Sequence, residues 1–492
     1  MTVPIRANVA LSRIDGAALA DLLGHWPAAD GPLYRLLAAR ISRLADTGEL
    51  PAGLRLPPER DLADALSVSR NTVAAAYQHL RDEGMANSRQ GAGTSIVPHR
   101  TTPAGVHRAN GFFAGLLETA AVRTNLTVAV VRCAPQVKAA LGNPAALIGT
   151  EVLSEVLDSP GYLPLGLPDL RDALAGQLSR THGLATRPEQ IVVTTGAQQA
   201  LDLLIRAEVL PGQAVVVEDP TFPGPLDTLQ RAGARMVGVP ATGGTDPDRL
   251  AQAVATHQPA LVYLTLTHHN PTGLIMPGHH RRRIAELAAA RPGTLFIDDL
   301  TMADLTLDEV EVPPPLAAMA PGLPNIVTVG SLSKSYWGGL RTGWARAEAG
   351  VVSRLAAAKA AADLGSPLYQ QAMTAALVRH QHAEIVAWQR ERLREQRDAL
   401  AGALRSELPG WDWRDPPGGL TLWARLPGGT DGSAFAQAAL RHGVAVVPGR
   451  LLSASGLSRD YIRIAFTQPP GQLREAAAAL ATAWDSLPRM TS

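Results

Sequence analysis

Six short apolar runs, each parted from the next by a stretch with helical patterning, constrain this chain more than any other feature. They span 190–194, 214–217, 235–239, 261–264, 294–297 and 326–329. Runs that are apolar along their whole length leave no face for water, so a sheet built from them must be covered on both sides. Helices between successive strands supply that cover and make the sheet mostly parallel, an α/β architecture. Sheets of this kind bind ligands beyond the carboxyl ends of their strands. The chain has 492 residues, more than one compact core holds, so further domains are expected.

The residues at those strand ends carry the candidate chemistry. Thr195-Gly196-Ala197 follows the first run and opens a helix. Free amides at a helix start attract phosphate, and a glycine lets the backbone come close. Phe222 follows the second run; it can lie flat on a heteroaromatic ring or simply fill a core. Asn270 stands in His269-Asn270-Pro271-Thr272-Gly273 and can donate to a phenolate oxygen, although Asn-Pro and Thr-Gly also form plain turns. Asp298 directly ends the fifth run, with Asp299 beside it. A carboxylate at that place can keep a pyridine nitrogen protonated. Asp298 is preferred and Asp299 stays open.

Lys334 is one of three lysines among 45 basic residues. Charge alone would have been served by arginine, as it is almost everywhere else. A guanidinium keeps its proton, whereas an amine can attack an aldehyde, most commonly that of pyridoxal phosphate. Ser331 and Arg341 flank Lys334 and suit the phosphate of such a cofactor. Arg463 interrupts the apolar face of an alternating strand at 461–466 and can take a carboxylate or stand as an edge charge.

The first hundred residues follow another plan. Leu33, Leu36, Leu37, Ile41 and Leu44 recur at helical spacing, which predicts a helix over 32–46. A short helix follows Pro57-Pro58, Ser67-Val68 makes a turn, and Ser69 caps a third helix over 70–83 that stops at a glycine. Residues 85–97 read as two short strands around a Gly-x-Gly turn. Two helices, a tight turn and a third helix match a helix-turn-helix, in which the start of the last helix meets base edges.

Leu56-Pro57-Pro58-Glu59-Arg60-Asp61-Leu62-Ala63, Ser69-Arg70-Asn71-Thr72-Val73 and Gly91-Ala92-Gly93-Thr94 resemble the GntR-type winged helix. The resemblance implies that Arg60 grips phosphate, that Ser69, Arg70, Asn71 and Thr72 sit at the DNA, and that the Gly91 turn enters or skirts the minor groove. Arg60 could instead pair with Asp64, four residues on. From about residue 125 to 485 the ordered strand-end motifs resemble the fold-type I aminotransferases. By that resemblance Lys334 forms a Schiff base with pyridoxal phosphate, Asp298 pairs the pyridinium, Asn270 contacts the ring oxygen and Phe222 stacks on the ring. Thr195, Gly196, Ala197, Ser331 and Arg341 would hold the phosphate, Arg463 an effector's carboxylate, and Tyr162 a neighbouring subunit's phosphate. Such enzymes usually place a tyrosine two or three residues after the aspartate, where this chain has Leu300, Thr301 and Met302.

The combination resembles the MocR subfamily of GntR-type transcriptional regulators. It implies a winged helix-turn-helix domain (α+β) over 1–97 with its core at 32–97, a linker over 98–124, and an aminotransferase-like effector domain over 125–492. The implied function is a regulator of transcription that binds double-stranded DNA at paired half-sites, as a domain-swapped homodimer. Pyridoxal phosphate, or an amino compound reacting with it, would be the effector. Two readings compete: a working aminotransferase with an accessory head, and a cofactor that is only a structural clamp.

Composition bounds the rest. Net charge is +1, so no global basic field advertises nucleic acid. Residues 32–97 carry eight arginines against seven acids, so DNA specificity must rest on a few groove contacts. The single cysteine, Cys133, excludes an internal disulfide framework and fits a reducing cytoplasm. No signal peptide and no apolar run of about 18 residues is seen, so a soluble protein with no membrane span is expected. His268-His269 and His279-His280 lack the companion ligands a metal needs. Arg281-Arg282-Arg283 reads as solvated charge, and the Arg/Glu-rich stretch 390–398 as part of a long exposed helix.

Overall fold

The computed structural model describes residues 13–24, 32–46, 49–51, 53–82, 85–89, 93–97 and 122–487. The Gly91 turn and most of the expected linker lie outside them. The N-terminal domain begins with α1 (Gly16–Leu23), whose first turn is capped by Asp15 accepting from the Ala18 amide. This helix was not anticipated, because eight residues are too few to show a period. Next come α2 (Leu33–Asp46), α3 (Glu59–Leu66) and α4 (Arg70–Asp82). Leu37, Ile41 and Leu44 of α2 are buried against Leu62, Leu66, Val73 and Tyr77. Leu33, by contrast, stays exposed. Ser67 closes α3 in the left-handed region at φ 52°, which lets the chain turn within two residues. Strands β1 (Ala86–Arg89) and β2 (Gly93–Ile96) pair antiparallel with Arg89 opposite Gly93, the expected wing.

The larger domain opens on β3 (Thr124–Asn125) and is built on a sheet of seven strands. These are β4 (Ile191–Thr194), β5 (Ala214–Asp219), β6 (Arg235–Pro240), β7 (Leu261–Leu264), β8 (Leu295–Asp299), β9 (Ile326–Ser331) and β10 (Gly343–Arg346). Their spatial order is β4-β10-β9-β8-β7-β5-β6. All neighbours are parallel except β10, which runs against both β4 and β9. The six strands expected from the apolar runs are present. β10 was missed because Gly343-Trp344-Ala345-Arg346 is neither uniformly apolar nor alternating.

The C-terminal part adds β11 (Asp412–Trp413), β12 (Thr421–Arg425), β13 (Val444–Ala445), β14 (Val447–Pro448) and β15 (Tyr461–Ala465). β11, β12, β15 and β14 form a four-stranded antiparallel sheet, and β13 pairs with β3. The helices His382–Glu407, Gly432–Arg441 and Pro470–Asp485 pack against it.

Two charge expectations are corrected. Arg281 is fully buried and donates to the carbonyls of Leu266, Met276 and Pro313. Three consecutive helical residues span about 200° of the helix surface, so one of three must turn inward when the helix covers a sheet. The helix His382–Glu407 is not simply an exposed rod. Arg390 donates to the carbonyl of Asp304, Arg394 to that of Leu307, and Arg397 to Asp308, so that one face clamps the loop after β8. Among the described residues no helix is long and apolar enough to cross a membrane.

Candidate functional site

A cavity opens beyond the carboxyl ends of β4, β5, β7, β8 and β9, where the sheet architecture requires it. Lys334, three residues past the end of β9, reaches it half-buried, and its Nζ donates to the Ala129 carbonyl at 2.6 Å. Burial lowers the amine's pKa to about 8; Arg463 and Arg341 push the same way, and Asp299 opposes them. An amine so placed is partly neutral near pH 7 and hence nucleophilic.

One end of the cavity is an anion cup. Gly196 sits at φ 134° just before the helix Ala197–Glu208. A Cβ at position 196 would lie 3.2 Å from Arg341 Nη2 and 3.6 Å from Ser331 Oγ. Backbone amides, a hydroxyl and a guanidinium therefore converge on a space that only glycine leaves open. Gly196, Ala197, Ser331 and Arg341 line the cavity as expected. Thr195 is not on the wall; its amide is bound by Gln199 Oε1 at 2.8 Å. Gln198, in the first turn of the helix, lines the cavity where Thr195 does not. Position in the first helical turn was the available signal.

The cavity also has a wall suited to a flat ring. Phe222 and Asn270 line it. Arg463 stands behind Asn270, donating to its Oδ1 at 3.3 Å and to the Thr127 carbonyl at 2.5 Å. It is buried next to the cavity, not on its wall.

The carboxylate facing the cavity is Asp299, not Asp298. The register pairs Leu264 with Asp298 and Tyr263 with Ile297. Asp298 therefore shares the face of Leu264, and Asp299 the face of Tyr263 and Thr265, which line the cavity with it. Asp298 points into the layer below, accepting from the Leu316 amide at 2.9 Å. Its pKa is raised by burial, against which the charge of Arg281 works. Asp299 accepts from Tyr263 Oη at 2.7 Å and from the Thr301 amide at 2.8 Å. Burial raises its pKa, and these donors and Lys334 pull it down. The apolar run ends at Ile297, but the strand continues through Asp299, so the end of the run was the wrong marker. Thr301, Met302 and Ser333 also line the cavity. Tyr162 lies at the surface, 67% exposed, and does not line the cavity.

The reading face of the first domain is open. Arg60, Ser69, Arg70 and Asn71 are exposed and Thr72 is half-buried. Ser69 Oγ accepts from the Thr72 amide at 3.1 Å, the cap read from the sequence. Arg70 is steadied by Glu59 at 3.1 Å. Among the described residues no ion pair joins Arg60 to Asp64, and the Arg60 side chain is exposed.

Comparison with known proteins agrees with both halves. A family model described as aminotransferase class I and II matches residues 158–480, and one for bacterial regulatory proteins of the gntR family matches residues 33–96. Fold and site thus define a class I and II aminotransferase domain, and the chain belongs to that family. With its GntR-type helix-turn-helix head it has the make-up of the MocR-type regulators. The uncharacterised HTH-type transcriptional regulator YisV of Bacillus subtilis is 29% identical over 464 residues, 89% of this chain and 93% of that protein. The probable rhizopine catabolism regulatory protein MocR of Rhizobium meliloti is 30% identical over 285 residues, 55% of this chain and 57% of its own length. Among solved structures, LysN, the α-aminoadipate aminotransferase of Thermus thermophilus complexed with N-(5'-phosphopyridoxyl)-L-leucine, superposes with a TM-score of 0.66 at 28% identity, covering 76% of this chain and 95% of LysN.

Proposed function

We propose that this chain is a DNA-binding transcriptional regulator whose larger domain holds pyridoxal phosphate on Lys334 and lets an amino compound modulate DNA binding. One observation carries the reading: a single chain joins an open helix-turn-helix face to an amine of lowered pKa beside an anion cup. The residues fit the cofactor. Gly196, Ala197, Gln198, Ser331 and Arg341 would hold its phosphate, Phe222 and Asn270 its ring and ring oxygen, and Asp299 its pyridine nitrogen. Bound there, the cofactor supplies an aldehyde that exchanges amines and a ring that withdraws electrons. Lys334 would hold that aldehyde, and Arg463, behind Asn270, would draw a carboxylate to that side.

The head reads double-stranded DNA through Arg60, Arg70, Asn71 and Thr72, with Ser69 as cap and phosphate contact. Two heads on a homodimer would meet paired half-sites; in a domain-swapped form the contacts that Arg441 and Arg450 make with the head within this chain would be made between the two chains. In that dimer the exposed Tyr162 would reach the partner's phosphate cup. The reducing cytoplasm, where Cys133 stays a thiol, is the compartment this implies.

Holoprotein should absorb at about 420 nm, and Lys334→Ala should not. Arg70→Ala should abolish specific DNA binding while the absorbance persists. A wild-type protein that stays colourless with the cofactor would remove the sensor reading, and unchanged DNA binding by Arg70→Ala would remove the reading-face assignment. A second reading, a working aminotransferase, draws on Lys334 and Asp299 both lining the cavity and on relatives such as the 2-aminoadipate transaminase of Thermus thermophilus, 31% identical over 286 residues. Met302 on the wall, where such enzymes place a phenol near the ring oxygen, weighs against efficient turnover. Steady conversion of an amino acid and a keto acid at about 1 s⁻¹ or more would favour the enzyme.

A further inference from the structure

The helix Gly432–Arg441 turns one face to the cofactor domain and the other to the DNA-reading domain. On the outer face Gln437 Nε2 donates to the Gly24 carbonyl at 3.1 Å, at the end of α1. Arg441 donates to the carbonyls of Leu66 at 2.7 Å and Ser67 at 3.0 Å. Carbonyls at a helix end lack partners within the helix, so these donors satisfy groups that would otherwise need water. Leu66 ends α3 and Ser67 opens the tight turn of the helix-turn-helix, two residues before Ser69. One arginine thus grips the pivot on which the reading helix is set, while Arg70 and Asn71 remain exposed.

A second contact lies on the adjoining turn Gly449–Leu452. Arg450 stands 3.4 Å from Asp15 and 3.6 Å from Asp21. Asp15 caps α1, and Asp21 also accepts from Ser433 Oγ at 3.0 Å. The same turn is tied to the cavity. The Leu452 carbonyl accepts from the Thr221 amide at 2.7 Å, and the next residue, Phe222, faces the ring position. Phe222 packs against the cluster of Leu452, Trp423 and Val447. Ser455 just beyond bonds Asp219 Oδ2, its amide at 2.9 Å, so the loops 219–222 and 449–455 are stitched together.

We propose that the helix Gly432–Arg441 and the turn Gly449–Leu452 form the surface through which the cofactor cavity sets the posture of the DNA-reading domain. The inference rests on the function proposed above and names the regulatory contact for that site. A group that presses on Phe222 moves Thr221 and Leu452, and with them Arg450 and its hold on α1. Only a ligand that prefers one posture shifts the balance.

The probe is the tightest duplex selected from random sequence by wild-type holoprotein, with affinity measured with and without pyridoxal phosphate. Wild type should show about a tenfold difference between the two forms. Arg441→Ala and Arg450→Ala should each bring that ratio to within about twofold, while the cofactor titration at about 420 nm stays as in wild type. Gln437→Ala, a milder loss on the same face, should reduce the ratio to about threefold. A variant that fails to fold loses the absorbance as well and is thereby recognised, leaving Gln437→Ala to decide. A ratio unchanged in all three variants, or equal affinities in wild type with the absorbance present, overturns the inference. Absence of the absorbance in wild type is the separate failure of the cofactor reading and takes this inference with it.

Discussion

The lowered pKa of Lys334 makes a quantitative prediction about cofactor capture. An unperturbed lysine near 10.5 is neutral at pH 7 in only about 0.03% of molecules, whereas at a pKa of about 8 the neutral share is about 9%. Burial is the main cause, since the ammonium loses water that the Ala129 carbonyl only partly replaces, and Arg463 adds to it. Attack on an aldehyde requires the neutral amine, so capture at pH 7 should run faster than by a solvated lysine of equal access, by at most about 300-fold because a less basic amine is also a weaker nucleophile. Stopped-flow mixing of apoprotein with pyridoxal phosphate across pH 6 to 10 reads this directly. The rate should climb about tenfold per pH unit below pH 8 and level off above it. Asp299→Asn, which removes the one carboxylate holding the proton on, should move the levelling point downward. Linkage has a fixed sign here: the folded state binds fewer protons than the unfolded between about pH 8 and 10.5. The apoprotein should therefore gain stability as pH rises through that window, by at most about 3 kcal/mol. A rate still climbing tenfold per unit at pH 10 would refute the burial argument.

Three further outcomes follow from single residues. Asp299→Asn should weaken cofactor binding and shift its spectrum, whereas Asp298→Asn should leave the spectrum alone and lower the melting temperature, since Arg281 would lose its nearby charge; the reverse pattern would restore Asp298 to the site. Gly196→Ala should raise the Kd for pyridoxal phosphate about 10- to 100-fold, because a Cβ there fills the cup at a φ of 134° that costs other residues about 1–3 kcal/mol; spectral titration measures it. Asp21, half-buried against Ser433 and Arg450, has its pKa pushed up to about 7, chiefly by loss of water around the carboxylate. The docked state therefore holds a proton that the unfolded chain gives up, and its stability falls as pH rises from about 4 through 7. Asp21→Asn should flatten that dependence and raise the melting temperature at pH 8, by up to about 4 kcal/mol of stability; an unchanged pH profile would place Asp21 in water.

Much of the architecture was legible along the chain. The apolar runs marked six of the seven strands of the large sheet, and capping and turn residues marked α3, Ser67 and α4. Lys334 stood out by chemistry, because the chain otherwise uses arginine for charge. What stayed hidden depended on direction. Asp298 and Asp299 are adjacent and both buried, and only the pairing of β7 with β8 shows which side each faces. Arg281 is indistinguishable from Arg282 in sequence, and Tyr263 became part of the site only because its hydroxyl meets Asp299.

Local patterning by itself determined which segments become helix or strand, the order of the domains, and the kind of nucleophile at position 334. These depend on spacing and side-chain chemistry within a few residues, so they can be read without knowing what lies across the fold. Tertiary structure alone decided which aspartate faces the cavity, that Gln198 and not Thr195 lines it, and that Arg441 holds the turn before the reading helix. Each of these is a contact between segments distant in the chain, and such contacts exist only once the sheet register and the packing of the domains have been set.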